Sequence, residues 1–548
     1  MKVPNQNQLV SPLALKSLVT KLWLEGVPEW GELSELLLKL GYWNHWPHSG
    51  GNREIQKEIN EGLKIPHIWE RFSDLPEDQR WQDQRWRFGN HEILKCHPAY
   101  HGNDRIAQAA LVAINAHAMP PRGDTRSEPK IGIDFIGLGG CENIGASCYA
   151  YRAGNDVILV DMGINPDTDT LPRLEKLPSD WKANLRGIVL SHLHADHASG
   201  FLHMDSFGSI GGQYLRSDLP IFCTEVTKRL FSNVLKIGAR DQFVKSDAAT
   251  KLRILEKRLC PLPTGVWRKI GDLSLKLIDQ PHVPGAALIE LESSGGRLLH
   301  AVDFAMDRSL GGNPLDLNWL ASEDIGVVVL ESTYGQVEPE NHFRQLRIPI
   351  LFNCFMDFVD QKFEGKQGQI LFPAFSLGRA QELADQLEQR KPASTILAGA
   401  AEGISRLVHK VAPEWQKFYP KLTEKSIGYR NIIASHGWML EETKSNEYYK
   451  RLGRDDAVVF TGYIKKDTPA HISACQKNPA DGPRIFSLPF SSHASLSQLL
   501  SLVVASGAGR VVLVHGERVP DAELTIDDLL WKQGIKVERP NTTETVSL

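Results

Sequence analysis

Five apolar runs in this chain stop on, or just before, a histidine or an aspartate. Asp161 ends the run 157–160, His192 follows 187–190 after one serine, and His282 follows the run around Leu277. Asp303 ends 298–302 and His515 ends 511–514. Short apolar runs bounded by glycine and polar residues are expected to be buried strands, so polar residues repeated at their ends should line one edge of a sandwich of sheets. The densest of these ends is 191–200, SHLHADHASG, with His192, His194, Asp196 and His197 inside six residues. Imidazole and carboxylate groups suit zinc and related divalent ions. Four donors in one turn exceed the need of one ion, which implies two adjacent metals.

A length of 548 residues predicts two to four domains, and the texture of the chain changes in the expected way. Residues 1–128 hold seven of the thirteen tryptophans, at 23, 30, 43, 46, 69, 81 and 86, among leucines at helical spacing. They predict a mainly helical N-terminal module whose tryptophans fill a small core, a reading better supported than base stacking. The Pro, Gly and polar residues of 119–129 form a linker. From 129 to 335 short strands dominate, expected at 131–135, 156–160, 187–190, 273–277, 287–291, 298–302 and 326–330. Residues 336–488 alternate instead: helices at 343–363, 378–390 and 402–411, and strands at 369–372, 394–398, 431–434 and 457–460. That alternation predicts a doubly wound α/β insert. Strands near 484–487 and 510–514 and a helix at 494–506 follow, with 489–548 returning to the first unit.

A formal net charge of −4 excludes a whole-chain basic field, so any nucleic-acid surface must be local. The seven cysteines form no CxxC pair, which argues against a disulfide framework and against thiolate zinc sites. No signal-type segment and no run of roughly 18 apolar residues is present. These features predict a cytoplasmic protein with no membrane partner.

The order Asp161, His192-x-His194-x-Asp196-His197, His282, Asp303 resembles the metallo-β-lactamase fold. Three later pieces resemble its β-CASP branch of nucleases: Glu331 after the strand 326–330, the stretch PAFSLGRAQE at 373–382, and the two histidines after the insert, His493 and His515. The resemblance runs from about 131 to residue 548. It implies an αββα sandwich with the β-CASP cap inserted at 336–488.

It also implies roles. His192, His194 and His282 would hold one zinc ion, and Asp196, His197 and His515 a second, with manganese as an alternative metal. Asp303 would bridge the two, and Asp161 would orient a ligand histidine. A hydroxide between the metals would attack phosphorus, and His493, held by Glu331, would protonate the leaving oxygen. Asp196, Glu331 and His493 are thus the expected catalytic residues, and Ser376, Arg379, His436 and Lys465 the candidate substrate contacts. Histidine at 515 is the habit of RNA-processing members, so the expected activity is endonucleolytic or 5′-exonucleolytic cleavage of RNA before DNA. Two alternatives remain at this stage: hydrolysis of a nucleotide or other small molecule, and a non-catalytic subunit of a processing complex. Residues 1–128, balanced in charge, suit a protein partner at least as well as a nucleic acid.

Overall fold

A computed structural model describes residues 130–548 except 204–208, 211–212, 215–217, 241–247, 307–314, 316–318, most of 336–367, 421–429, 436–439, 441–443, 463–467, 476–481, 489, 495 and 518–524. The mainly helical module expected at 1–128 and most of the helix expected at 343–363 fall outside the described residues, as do His436 and Lys465.

Two seven-stranded sheets face each other. The first contains β1 (Asp134–Gly139), β2 (Cys148–Ala153), β3 (Asp156–Val160) and β4 (Leu185–Val189). After a small hairpin of β5 (Ser209–Ile210) and β6 (Gln213–Tyr214), it continues with β7 (Ile221–Cys223) and β8 (Leu259–Pro261), and its far edge is β21 (Thr545–Ser547). The second contains β9 (Arg268–Ile270), β10 (Leu273–Asp279), β11 (Ala287–Ser293), β12 (Gly296–Ala301), β13 (Ile325–Glu331), β19 (Arg510–Val514) and β20 (Lys536–Glu538).

The strands are apolar on both faces because both faces are covered. In β3, Ile158 and Val160 point between the sheets while Val157 and Leu159 meet the helices outside. The same alternation sends Val327, Val329, Val512 and Val514 inward, and Val328, Leu330, Val511 and Leu513 outward against Leu499, Leu502 and Leu529 of the helices Leu496–Ser506 and Ile526–Lys532. A period of two with both faces buried reads as a continuous apolar run, which is why these strands stood out in the sequence. The resulting layers are helix, sheet, sheet, helix.

Several elements were missed or displaced by the sequence reading. The first strand lies three residues later than expected, at Asp134–Gly139, because Ile131 and Ile133 are buried as an approach to the sheet rather than as part of it. Strand β2, with its tyrosines, and the short β7, β8 and β9 carried too little apolar signal to be picked out.

A third sheet is entirely parallel, in the order β15-β16-β14-β17-β18: β14 (Gln369–Pro373), β15 (Thr395–Gly399), β16 (Arg430–Ser435), β17 (Ala457–Thr461) and β18 (Arg484–Leu488). Helices Arg379–Arg390 and Ala400–Val411 connect its strands, as parallel pairing requires. This unit is seated on the first sheet's outer layer. Ile404, Val408 and Ala412 join the core that contains Leu230 and Leu235 of the helix Glu225–Arg240, and Leu377 joins Val283 in the same core.

Candidate metal centre

The site lies at the carboxyl ends of strands that run parallel: β3 with β4, and β12 with β13 and β19. Such ends are where α/β sheets collect ligands, because each chain leaves its sheet there and is free to turn. Asp161, Asp303 and His515 all take left-handed backbone conformations at these exits, with φ of 64°, 52° and 51°. Left-handed residues other than glycine are uncommon, and the surrounding structure must hold them. Asp161 N–H donates to Val189 O at 2.8 Å, and His515 N–H to Gly140 O at 2.7 Å.

The turn carrying Asp196 and His197 docks on the exit of β3. Met162 N–H donates to His197 O at 2.8 Å and Ser147 N–H to Asp196 O at 2.9 Å. Gly163 makes the close approach possible, since a Cβ there would stand 1.7 Å from Asp196 O.

The side chains converge in two groups that share one carboxylate. His192, His194, His282 and Asp303 form the first, and Asp196, His197, Asp303 and His515 the second, each with its donor atoms within 4.8 Å of one another. In the first, His194 Nδ1 lies 3.0 Å from His282 Nε2, and Asp303 Oδ2 lies 3.7 Å from His192 Nε2. In the second, Asp303 Oδ2 is 3.1 Å from His197 Nε2, Asp303 Oδ1 is 2.9 Å from His515 Nδ1, and Asp196 Oδ2 is 3.4 Å from His515 Nε2. Donors around a single tetrahedral zinc lie roughly 3–4 Å apart, so both groups have the right spread.

Burial supplies the decisive test. His192 Nε2, His515 Nε2 and both Asp303 oxygens are buried without a well-directed hydrogen bond. Orphaned polar atoms cost about 1–3 kcal/mol each, and their gathering in one place fits divalent cations as the missing partners.

The outer hydrogen bonds orient these donors. Asp161 Oδ2 accepts from His197 Nδ1 at 2.7 Å and from Ser191 Oγ at 2.7 Å, while its Oδ1 accepts from Ser191 N–H at 2.7 Å. His197 therefore presents Nε2 to the centre. His282 donates Nδ1–H to Ser492 O at 2.8 Å and presents Nε2 in turn. Glu331, fully buried, accepts from Phe304 N–H at 2.7 Å and from His493 Nδ1–H at 2.8 Å.

The histidines divide electrostatically. Burial, reinforced by neighbouring imidazoles, drives His192 and His282 well below the usual histidine range, and burial lowers His194 too. Burial also opposes charge on His493, but Glu331 and Asp303 outweigh it and hold the imidazole up at about 10. For His515, Asp303 and Asp196 outweigh burial in the same way and hold it at about 9.

The substrate contacts expected from the sequence fare differently. Ser376 lies half-buried on the loop after β14, its carbonyl accepting from Gln381 Nε2 at 3.0 Å. Arg379 is buried, paired with Glu382 at 2.8 Å and stacked on Phe490, which places its guanidinium inside the cap. Expected as a substrate contact, Arg379 is instead turned by its helix toward the helix's own carboxylate.

Three supporting residues escaped the sequence reading. Ser191 joins Asp161 to His192, Gln280 donates to Asp303 O at 2.9 Å and accepts from His282 N–H, and Thr333 Oγ1 lies 3.2 Å from His515 Nδ1. A hydroxyl just before His192 was a usable signal. Nothing local marked the other two.

Known proteins resemble this chain in sequence and in fold. The sequence model of the metallo-β-lactamase superfamily matches residues 143–272. RNase aCSPSF2 of Saccharolobus solfataricus is 27% identical over 448 residues, covering 75% of this chain and 84% of that protein. The transcription termination factor FttA of Cenarchaeum symbiosum is 28% identical over 487 residues, covering 76% of this chain and 70% of its own length. Endoribonuclease YSH1 of Candida glabrata is 24% identical over 448 residues, covering 71% of this chain, which spans only 55% of that relative's length. A solved protein of unknown function from Enterococcus faecalis shares the fold, with a TM-score of 0.52 at 13% identity, covering 76% of this chain and all of its own. Ligand clusters stand at the strand ends, and the chain has the metallo-β-lactamase fold and is related to the β-CASP family nucleases.

Proposed function

We propose that this chain is a dinuclear zinc phosphodiesterase that cleaves RNA, endonucleolytically or from the 5′ end. The observation that carries it is the pair of ligand clusters sharing Asp303, with the Glu331–His493 pair beside them. The names of the relatives, an RNase and an endoribonuclease, favour RNA as the polymer.

His192, His194 and His282 would hold one cation, Asp196, His197 and His515 the other, and Asp303 both. What two bound cations supply is Lewis acidity, acidifying water and neutralising charge on the phosphoryl oxygens. The chain's own groups do the rest. Asp161 and Ser492 fix which nitrogen His197 and His282 present, so the ligands need no rearrangement on loading. Glu331 engages His493 Nδ1 and keeps the ring protonated, so that Nε2 can hand its proton to the departing oxygen. The cap, packed on the outer layer of the first sheet, would form one wall of a substrate cleft and limit water there.

The test is cleavage of 5′-labelled single-stranded RNA and matched DNA by the full chain, beside an Asp196→Ala/His197→Ala double variant, with metal content measured on both. Internal RNA fragments or released mononucleotide, absent in the variant, are expected. RNA left intact by the zinc-loaded protein, or cleavage that survives in the variant, would overturn the proposal.

A further inference from the structure

We infer that Arg539 is a positioning residue for the second ligand cluster, fixing the direction of His515 through Ser332; this rests on the metal-centre reading and not on the choice of polymer. In the second sheet β12, β13, β19 and β20 are successive neighbours and run parallel, so their carboxyl ends lie along one edge. Each of the four exits carries a charged or titratable side chain. Asp303 lies just beyond β12, Glu331 closes β13, His515 follows β19 and Arg539 follows β20. The first three point into the site, and the fourth braces them from the side.

The guanidinium is fully engaged. Its Nε and Nη2 donate to the two Asp527 oxygens at 2.8 and 2.7 Å, a two-pronged pair to the first turn of the helix Ile526–Lys532, and its Nη1 donates to Ser332 Oγ at 3.1 Å. Arginine can only donate, so the Ser332 hydroxyl accepts there and must turn its own hydrogen to Val514 O, 3.0 Å away. Ser332 N–H donates to the same carbonyl at 2.8 Å.

That carbonyl belongs to the peptide that leads into His515, whose N–H on the opposite side donates to Gly140 O at 2.7 Å. The peptide plane is thereby held from both sides, and it sets the left-handed turn, φ 51°, from which the imidazole is aimed. Thr333, next to Ser332, donates Oγ1–H to His515 O at 3.1 Å. Gly516 lets the two exits close on each other, since a Cβ there would stand 2.4 Å from Ser332 O. These bonds join β13, β19 and the segment after β20, whereas His192 and His194 stand beyond β4 and His282 beyond β10. The influence of Arg539 therefore falls on the second cluster.

The experiment measures zinc affinity by chelator competition on the full chain in two backgrounds. His194→Ala impairs the first cluster and leaves the second to report, and His197→Ala does the reverse. Adding Arg539→Met should weaken zinc binding about 10- to 100-fold in the His194→Ala chain, the usual effect of removing an outer partner of a ligand, and leave the His197→Ala chain unchanged. Arg539→Lys should behave as Arg539→Met does, because one ammonium cannot reproduce the planar fork that serves Asp527 and Ser332 together. Ser332→Ala should give the same loss, and adding Arg539→Met to it should give little more. Equal weakening in both backgrounds, no weakening in the His194→Ala chain, full retention by Arg539→Lys, or losses of Arg539→Met and Ser332→Ala that add in full would overturn the role. Should Arg539→Met lack a cooperative melting transition without metal, Ser332→Ala, which keeps the Arg539–Asp527 pair, carries the prediction alone. RNA left uncut by the wild type, with these affinities as expected, would overturn the nuclease reading and leave the positioning role standing. A wild-type chain that binds no zinc would overturn both.

Discussion

The two candidate ligand clusters share Asp303 and differ in charge. The first is a nest of three imidazoles that burial and mutual repulsion keep neutral, with one shared carboxylate. The second holds a further carboxylate, Asp196, and its histidines are pulled toward the charged form by Asp303 and Asp196, with Asp161 adding to the pull on His197. A cation bound by the first cluster would meet imidazoles that burial disfavours as cations, whereas one bound by the second would compete with protons that Asp303 and Asp196 favour on His197 and His515. Loading of the second half should therefore be the more pH-dependent of the two.

The largest effect should come from removing what the halves share. Asp303→Asn is expected to lower bound zinc below one ion per chain and to cut RNA cleavage by at least about a thousandfold, the several kcal/mol that Lewis-acid stabilisation supplies. Two ions retained in that variant, by elemental analysis, would break the comparison at its root. His493→Gln should come next, with kcat down by about 10²- to 10⁴-fold and both ions kept, because the imidazole acts on the leaving group. Loss of metal in His493→Gln would make it a ligand, an outcome that its grouping with Asp303 and Glu331 makes worth checking.

Asp161→Asn should separate the halves. It touches His197 directly and reaches His192 only through Ser191, so chelator competition should show about 10- to 100-fold weaker binding of one ion and a smaller change in the other. Equal weakening of both would mean that the halves load as a unit.

The smallest effect concerns burial itself, and His300 is the control. It is buried on β12, Tyr151 Oη lies 2.7 Å from its Nδ1, and it belongs to neither ligand cluster. Burial and the charged His197 nearby push it down to about 3. The unfolded chain takes up a proton near the ordinary 6.5 while the folded one does not, so this contribution to stability is complete above pH 6.5 and fades as pH falls from there to about 3. His300→Asn should flatten the acid limb of a denaturation-midpoint profile in that window, and an unchanged limb would remove burial as the cause.

Most of the candidate site is legible in the linear chain because its residues sit where strands end, and a strand end announces itself by the stop of an apolar run. Asp161, His192, Asp303 and His515 were all found that way. The cap was harder to read. Arg379, expected as a substrate contact, pairs inside its own helix, and Phe375, on the loop before that helix, is exposed between buried neighbours. Helical and loop residues face in or out according to what packs above them, and that neighbour is remote in the sequence.

By itself, then, the sequence determined the kinds of donor and their spacing, the alternation that makes two facing sheets, and the switch to a parallel insert, because each depends on residues a few positions apart. Only the tertiary structure decided which imidazoles are held below and which above the ordinary histidine range, and that Phe375 faces His194. Those outcomes depend on burial and on distances of a few ångströms between residues dozens to hundreds of positions apart, and no local pattern carries such distances.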